Sequence, residues 1–162
     1  MIKRVTLCIA MFLAIPFFLF AKDYVVMDFG AKGNGMSDDA SAIQKAIDAC
    51  SEAGGNVVFS TNHTFISGPV ELKSNINIVL EANSVWKANP DESIYKLSAF
   101  GENRGEGMMW IYAKDAKNIS ITGKGTIHGN GVAFMGKELH DSYELKPVTI
   151  FDPRPHVLTL FG

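Results

Sequence analysis

Apolar residues recur along this chain in two rhythms. Between Asp39 and Ala53, the residues Ile43, Ala46, Ile47 and Cys50 fall at i, i+3, i+4 and i+7, the spacing that lines one side of a helix. Ser37 or Asp38 is placed to cap its first turn, and Gly54-Gly55 to end it. Ahead of this helix, Tyr24 to Phe29 reads as a short strand. Beyond it the helical period does not return. Short runs rich in Val and Ile take over: NVVF at 56–59, TFIS at 64–67, PVEL at 69–72, INIVL at 76–80, SVW at 84–86, MMWIYA at 108–113, NISIT at 118–122, GTIHG at 125–129, then VTIF and HVLTLF.

Ile76/Ile78/Leu80 and Ile119/Ile121 alternate with other residues, so these strands bury one face. Connections between most of them are too short for βαβ crossovers, and the strands are too short for long hairpins. Three short strands per turn of a coil, each pairing in parallel with its counterpart one turn on, satisfies both limits. That architecture is a parallel β-helix, a solenoid in the all-β class. KSNINIVLEANSVWKAN at 73–89 and AKNISITGKGTIHGNG at 116–131 read as weak repeats of successive coils. Asn75 and Asn118 at the turn entries suit left-handed backbone or side-chain-to-backbone bonding, an ordinary loop role being the other reading. The helix then seals the N-terminal end of the coil with its apolar face.

Two long polar stretches, 89–107 and 130–147, interrupt the strands and are where a solenoid builds cleft walls. Arg104, Lys137 and Lys146 in them are candidate anion contacts, solvated side chains being the plainer alternative. His128 is a further weak candidate for substrate contact, against an ordinary outward-facing strand histidine. Trp86 and Trp110 could stack on sugar rings, with core packing the stronger reading. His63, His140 and His156 show no metal-ligand spacing and read as surface histidines.

The first residues change the picture of where the protein works. Lys3 and Arg4 precede an uncharged run from Val5 to Phe20 and then Ala21, the pattern of a secretory signal peptide cleaved after Ala21. Pro16 breaks a run already short for a membrane span. A secreted, periplasmic or extracellular domain from 22 to 162 is expected, with capping strand and helix at 24–53, coils at 56–162, and no membrane contact after cleavage. Of the two cysteines only Cys50 follows Ala21, which excludes a disulfide framework. Without Lys3 and Arg4, the 15 basic residues fall to 13 against 17 acidic ones, a formal charge of −4. Nucleic acid is not an expected partner, and an acidic polymer would need locally placed Lys or Arg.

DFGAKGNGMSDD, residues 28 to 39, poses two chemical questions. Gly30, Gly35 and Ser37 nearly match a phosphate loop, but Met36 stands where its lysine belongs. Asp38 and Asp39 form the only Asp-Asp pair. Their place at the start of a helix favours the charged form of both as caps, not the protonated acid that sugar hydrolysis requires.

VMDFGAKGNGMSDDASAIQKAIDACSEAGGNVVF, then SGPVELKSNINIVLEANS, then NISITGKGTIHGNG, in that order, resemble the N-terminal part of the polygalacturonase-like glycoside hydrolases, glycoside hydrolase family 28. The resemblance implies a right-handed parallel β-helix, inverting hydrolysis of pectic polysaccharide by aspartates on one face, and no cofactor; no metal and no obligate partner are expected. The family's Asn-Thr-Asp, later Asp-Asp, Gly-His-Gly and Arg-Ile-Lys motifs have no counterpart in that role here. No catalytic residue is therefore assigned, and the expected identity is an N-terminal portion, truncated on its C-terminal side and inactive alone. Within the resemblance His128 stands where Asp is usual, Phe134-Met135 where tryptophan is common, and Ser60 to His63 replace a Pro-Ala-Gly-type turn. A non-catalytic carbohydrate-binding or surface β-helix, or a related lyase or epimerase, is the alternative.

Overall fold

A computed structural model of the chain describes residues 21–98, 108–135 and 154–162. Its elements are β1 (Asp23–Val25), β2 (Asn34–Asp38), α1 (Ala40–Ala53), β3 (Gly55–Phe59), β4 (Thr64–Ser67), β5 (Val70–Glu71), β6 (Ile76–Leu80), β7 (Val85–Ala88), β8 (Met109–Lys114), β9 (Ile119–Gly123), β10 (Thr126–His128) and β11 (His156–Phe161). They form three sheets, β1-β3-β6-β9, β2-β4-β7-β10 and β5-β8-β11, in which every strand pair is parallel. The chain visits the sheets in that order on each turn, so it is a right-handed parallel β-helix.

Like stacks on like because successive coils repeat in register. Val57, Ile78 and Ile121 line up inside the first sheet, Phe65, Trp86 and Ile127 inside the second, and Val70 and Ile111 inside the third. The two repeats read from the sequence are β6-β7 and β9-β10, which place Ile76 against Ile119 and Val85 against Thr126. Outside, Asn56 Nδ2 donates to Asp23 Oδ1 at 2.8 Å and Asn77 Nδ2 to Asn56 Oδ1 at 3.0 Å, while Ser120 Oγ donates to Asn77 Oδ1 at 2.8 Å. Asn75 and Asn118 both adopt left-handed backbone (φ 62° and 57°) and bond to each other at 2.9 Å. The left-handed reading of these asparagines is the one that holds. At Gly123 (φ 110°) a Cβ would also collide with the Leu80 carbonyl, so the corner between sheets there needs glycine.

The head of the coil departs from the sequence reading in two places. Tyr24–Phe29 is not one strand: β1 stops at Val25, and Val26–Phe29 makes a 3-10 turn that ends on left-handed Gly30. The glycine-rich segment that nearly matches a phosphate loop contains β2, which pairs with β4. Both differences have one cause, since the first turn must supply a strand to each of two sheets within a few residues.

α1 then occupies the third position of that first turn. Ala42, Ile43, Ala46, Ile47 and Cys50 are buried on its inner face, and burial raises the Cys50 thiol above its usual pKa. Gln44 does something no periodicity shows: its Nε2 donates to the Glu71 carbonyl at 3.0 Å and its Oε1 accepts from the Glu71 N–H at 2.9 Å. One side-chain amide thus pairs the outer edge of β5 as a neighbouring strand would.

The core is aromatic at its centre. Phe59 stacks on Trp86 with centroids 4.7 Å apart, and Trp86 meets Trp110 edge-on at 5.7 Å. Both indole N–H groups donate to the fully buried Ser67 Oγ, at 2.8 and 3.0 Å. Trp86 and Trp110 are therefore core residues and present no face to a sugar.

The glycine loop holds an anion of its own. Asp39 is 3% exposed and accepts from Lys32 N at 2.7 Å and Gly33 N at 3.0 Å. Two amides of the loop that looked ready for a phosphate are occupied by this carboxylate, and Met36 is exposed to solvent. Asp39 is consequently not a side-chain cap of α1, the role its place in the sequence predicts. Asp38 does serve the helix start, with Oδ1 accepting from Ala40 N at 2.8 Å, whereas Ser37 does not.

Three substitutions test these assignments. Ile47→Asp puts a charge into the sealed end and should cost about 4 kcal/mol or more, enough to abolish cooperative melting; unchanged melting and solubility would refute the seal. Ser67→Ala orphans two indole donors and should lower stability by about 2–5 kcal/mol in urea unfolding. Asp39→Asn removes one of the loop's two acceptor atoms and should cost about 1–2 kcal/mol in the same measurement.

Candidate functional site

The two long loops leave the coil at the same corner, after β7 and after β10. One bond docks the described stem of the first, 89–98, and two brace it internally. Asn89 Nδ2 donates to Asp38 Oδ2 at 2.6 Å, Tyr95 Oη donates to the Asn89 carbonyl at 2.7 Å, and Ser93 N donates to Asp91 Oδ1 at 2.9 Å. Asp38 Oδ2 also accepts from Gly68 N at 3.2 Å, so this carboxylate ties helix start, sheet end and loop together. Burial, reinforced by the charges of Asp38 and Asp91, pushes the Tyr95 phenol far above its usual range and keeps it a neutral donor. The side-chain and backbone bonds from Ser93 hold the Asp91 carboxyl below its usual value. An antiparallel bridge between Ser98 and Met108 closes the base of the loop.

The stem of the second loop packs on the first. Phe134 is buried and meets the Tyr95 ring at 5.9 Å. Phe134 is thus an internal wall residue. The described stems of the two expected cleft walls meet through this buried ring contact.

The outer face of the second sheet carries a row set by register: Asp38, Ile66, Lys87 and His128 lie side by side on β2, β4, β7 and β10. Neighbouring strands run about 4.8 Å apart, which places Lys87 and His128 on adjacent rungs. Asn130 fixes the end of the row. Its left-handed backbone (φ 53°) turns its N–H onto His128 Nδ1 at 3.0 Å, and its Nδ2 donates to the Ala88 carbonyl at 3.0 Å. With Nδ1 accepting, the proton of the neutral imidazole sits on Nε2.

His128, Gly129, Asn130, Gly131, Val132, Met135 and Arg154 line a concavity of about 620 Å3, within the size range of ligand sites. Gly131 makes the floor under Arg154, where a Cβ would come to 3.4 Å from Arg154 Cδ. Among the described residues, the lining contains a guanidinium and an imidazole and no carboxylate.

A larger concavity of about 840 Å3 is lined by Leu72, Ala113, Ile119, Ile121, Leu158 and Leu160 among others. It is the apolar interior of the last described coil, where β9, β10 and β11 each have a strand neighbour on one side only among the described residues. Asp115 and Lys117 are the charged side chains of its described lining, and they stand at its rim among apolar neighbours.

Of the sequence candidates, His128 lines this concavity of about 620 Å3, whereas Arg104, Lys137 and Lys146 lie outside the described residues. The row from Lys87 to His128 and the shared concavity of His128 and Arg154 leave no signal in the sequence, because only coil stacking makes either pair neighbours. Among the described residues no three His, Cys, Asp or Glu side chains are grouped as a metal would need, and no helix is long and apolar enough to cross a membrane.

Comparison with known proteins places this scaffold. The family model described as rhamnogalacturonase A/epimerase, pectate lyase-like, matches residues 24–132. A polygalacturonase of Malus domestica is 31% identical over 113 residues, covering 68% of this chain and 23% of its own length. A mannuronan C5-epimerase of Azotobacter vinelandii is 48% identical over 124 residues, covering 71% of this chain and 12% of its own. Among solved structures, the family 28 exopolygalacturonase of Yersinia enterocolitica superposes with a TM-score of 0.59 at 31% identity, covering 68% of this chain and 21% of that one. The chain thus spans a quarter or less of the length of these relatives. Match, order of motifs and coil architecture agree, and the chain belongs to the rhamnogalacturonase A/epimerase, pectate lyase-like family, with polygalacturonases among its relatives.

Proposed function

We propose that this chain forms the N-terminal coils of a secreted enzyme that hydrolyses galacturonan or a related pectic polysaccharide with inversion. The observation that carries this reading is that polygalacturonases match it across the stacked coils themselves. Secretion rests on Lys3 and Arg4 followed by the uncharged run from Val5 to Phe20. Inverting hydrolysis needs one protonated and one ionised carboxyl, about 6.5–9.5 Å apart, with room for a water between them. The Asp-Asp pair in this chain is committed elsewhere: Asp39 holds the glycine loop and Asp38 the helix start and the Asn89 side chain. The coils here supply scaffold and polymer contact, and the acid and base come from the Asp-containing motifs that this sequence lacks. One observation favours a second reading: the 48% identity to a mannuronan epimerase would make the parent an enzyme that alters uronate residues without hydrolysing the chain.

Affinity electrophoresis of the full chain in polygalacturonate, mannuronan and neutral galactan, with a reducing-end assay on the same samples, tests this. Retardation by polygalacturonate without release of reducing ends is expected. Retardation by mannuronan alone would replace the first reading with the second. Retardation by none would overturn both, and released reducing ends would overturn the incomplete machinery.

A further inference from the structure

We infer that Asp38 and Asn89 form a latch that makes the stems of the two long loops dock and release as one unit. Two consecutive residues at the end of β7 hold both stems. The Ala88 carbonyl accepts from Asn130 Nδ2 at 3.0 Å and so carries the second. The Asn89 carbonyl accepts from Tyr95 Oη at 2.7 Å and so carries the first. Asn89 is in turn tethered to the first coil, because its Nδ2 donates to Asp38 Oδ2 at 2.6 Å. Tyr95 closes the circuit. Its ring is 3% exposed and meets Phe134 at 5.9 Å, and Phe134 ends the 3-10 turn Gly131–Phe134 that follows Asn130.

The first stem is built to move as a piece. Asp91 N and Ser93 N donate to Asn89 Oδ1 and Asp91 Oδ1 at 3.0 and 2.9 Å, and Tyr95 N donates to the Glu92 carbonyl at 3.2 Å. Residues 90–96 belong to no sheet, so Ile94, Tyr95 and the latch are what hold them on the coil. Ile94 packs against the core over Gly68, where a Cβ would come to 2.7 Å from Ile94 Cδ1. Asp38 Oδ2 accepts from Gly68 N as well, at 3.2 Å, so one carboxylate serves both the seat and the latch. A bond to a charged group of this kind shifts the ratio of docked to released stem by about ten-fold or more. Release of the first stem alone would take from Phe134 the ring that covers it and leave an apolar side chain facing water. The two stems avoid that cost only by moving together, which makes them a two-state element biased by Asp38. Under the reading above, both walls of the cleft then open at once. The coupling is measured without a ligand, so its failure and that of the glycan reading are told apart.

Native-state hydrogen exchange of the full chain, read at residues 90–97 and 130–135, tests the latch. In the second stretch Ala133 N and Met135 N donate to the Asn130 and Val132 carbonyls and report its order. Asn89→Asp sets two carboxylates against each other and should speed exchange at both stems about ten-fold, with the amides of β3 and β6 unchanged. Combining it with Asp38→Asn restores an amide-to-carboxylate bond in the opposite sense and should recover most of the protection at both. Tyr95→Phe keeps the ring, removes the bond to Asn89 and should speed exchange at both stems about three-fold. Faster exchange at 90–97 with 130–135 unchanged would overturn the coupling. Unchanged exchange at both stems in Asn89→Asp would overturn the latch. A rise spread evenly over β3 and β6 as well, with no recovery in the double variant, would make the pair part of general stability and overturn the device. If Asn89→Asp fails to fold, Tyr95→Phe decides on the same two stretches: both must rise together, and one rising alone, or neither, overturns the inference.

Discussion

In-register parallel stacking is the constraint from which everything else in this molecule follows. A parallel strand satisfies its backbone only if an equivalent strand lies one spacing above or below it. Each coil must therefore repeat the direction, length and side-chain alternation of its predecessor. Val57 over Ile78 over Ile121 inside, and Asn56 over Asn77 over Ser120 outside, are two consequences of that one demand. The inner rows close by burial, and the outer row closes by a chain of side-chain hydrogen bonds.

A stack of this kind has a first member, and the first member needs a partner that is not a coil. α1 provides it in two ways. Ile43, Ile47 and Cys50 cover the apolar interior, and the Gln44 amide covers a peptide group of β5. Covering the interior alone would leave an N–H and a carbonyl of β5 facing the helix without partners, a loss comparable to that of any buried unpaired polar group. The same requirement explains the neighbouring glycine loop. Two of its amides point inward and are satisfied by Asp39, so the segment resembling an anion site is an internal joint.

Register also decides where chemistry can gather. Side chains outside a β-helix form rows across coils, so residues as distant in sequence as Lys87 and His128 become neighbours. Loops leaving the same corner of successive coils meet in the same way, which is why Tyr95 and Phe134 pack together although the sequence separates them widely. A recognition surface on this fold is a column through the coil order, flanked by whatever the corners carry.

Much of the architecture was legible in the residues. The i, i+3, i+4, i+7 spacing of Ile43, Ala46, Ile47 and Cys50 specified a one-faced helix, because a helix at a solvent boundary needs apolar side chains on one side only. The alternation in INIVL and NISIT, with connections too short for crossovers, specified short one-faced strands in a coil. The head of the chain was harder to read. There β1 gives way to a 3-10 turn at Val26 and β2 hides among Asn34 to Asp38, and neither has an apolar period that sets its ends. The pairing of Gln44 with Glu71, the two indoles on Ser67 and the capture of Asp39 by the glycine loop were decided by tertiary structure alone. Each depends on which polar group the stacked coils leave opposite another. Local sequence determined what every segment would bury, and only the register between coils determined what each polar side chain would face.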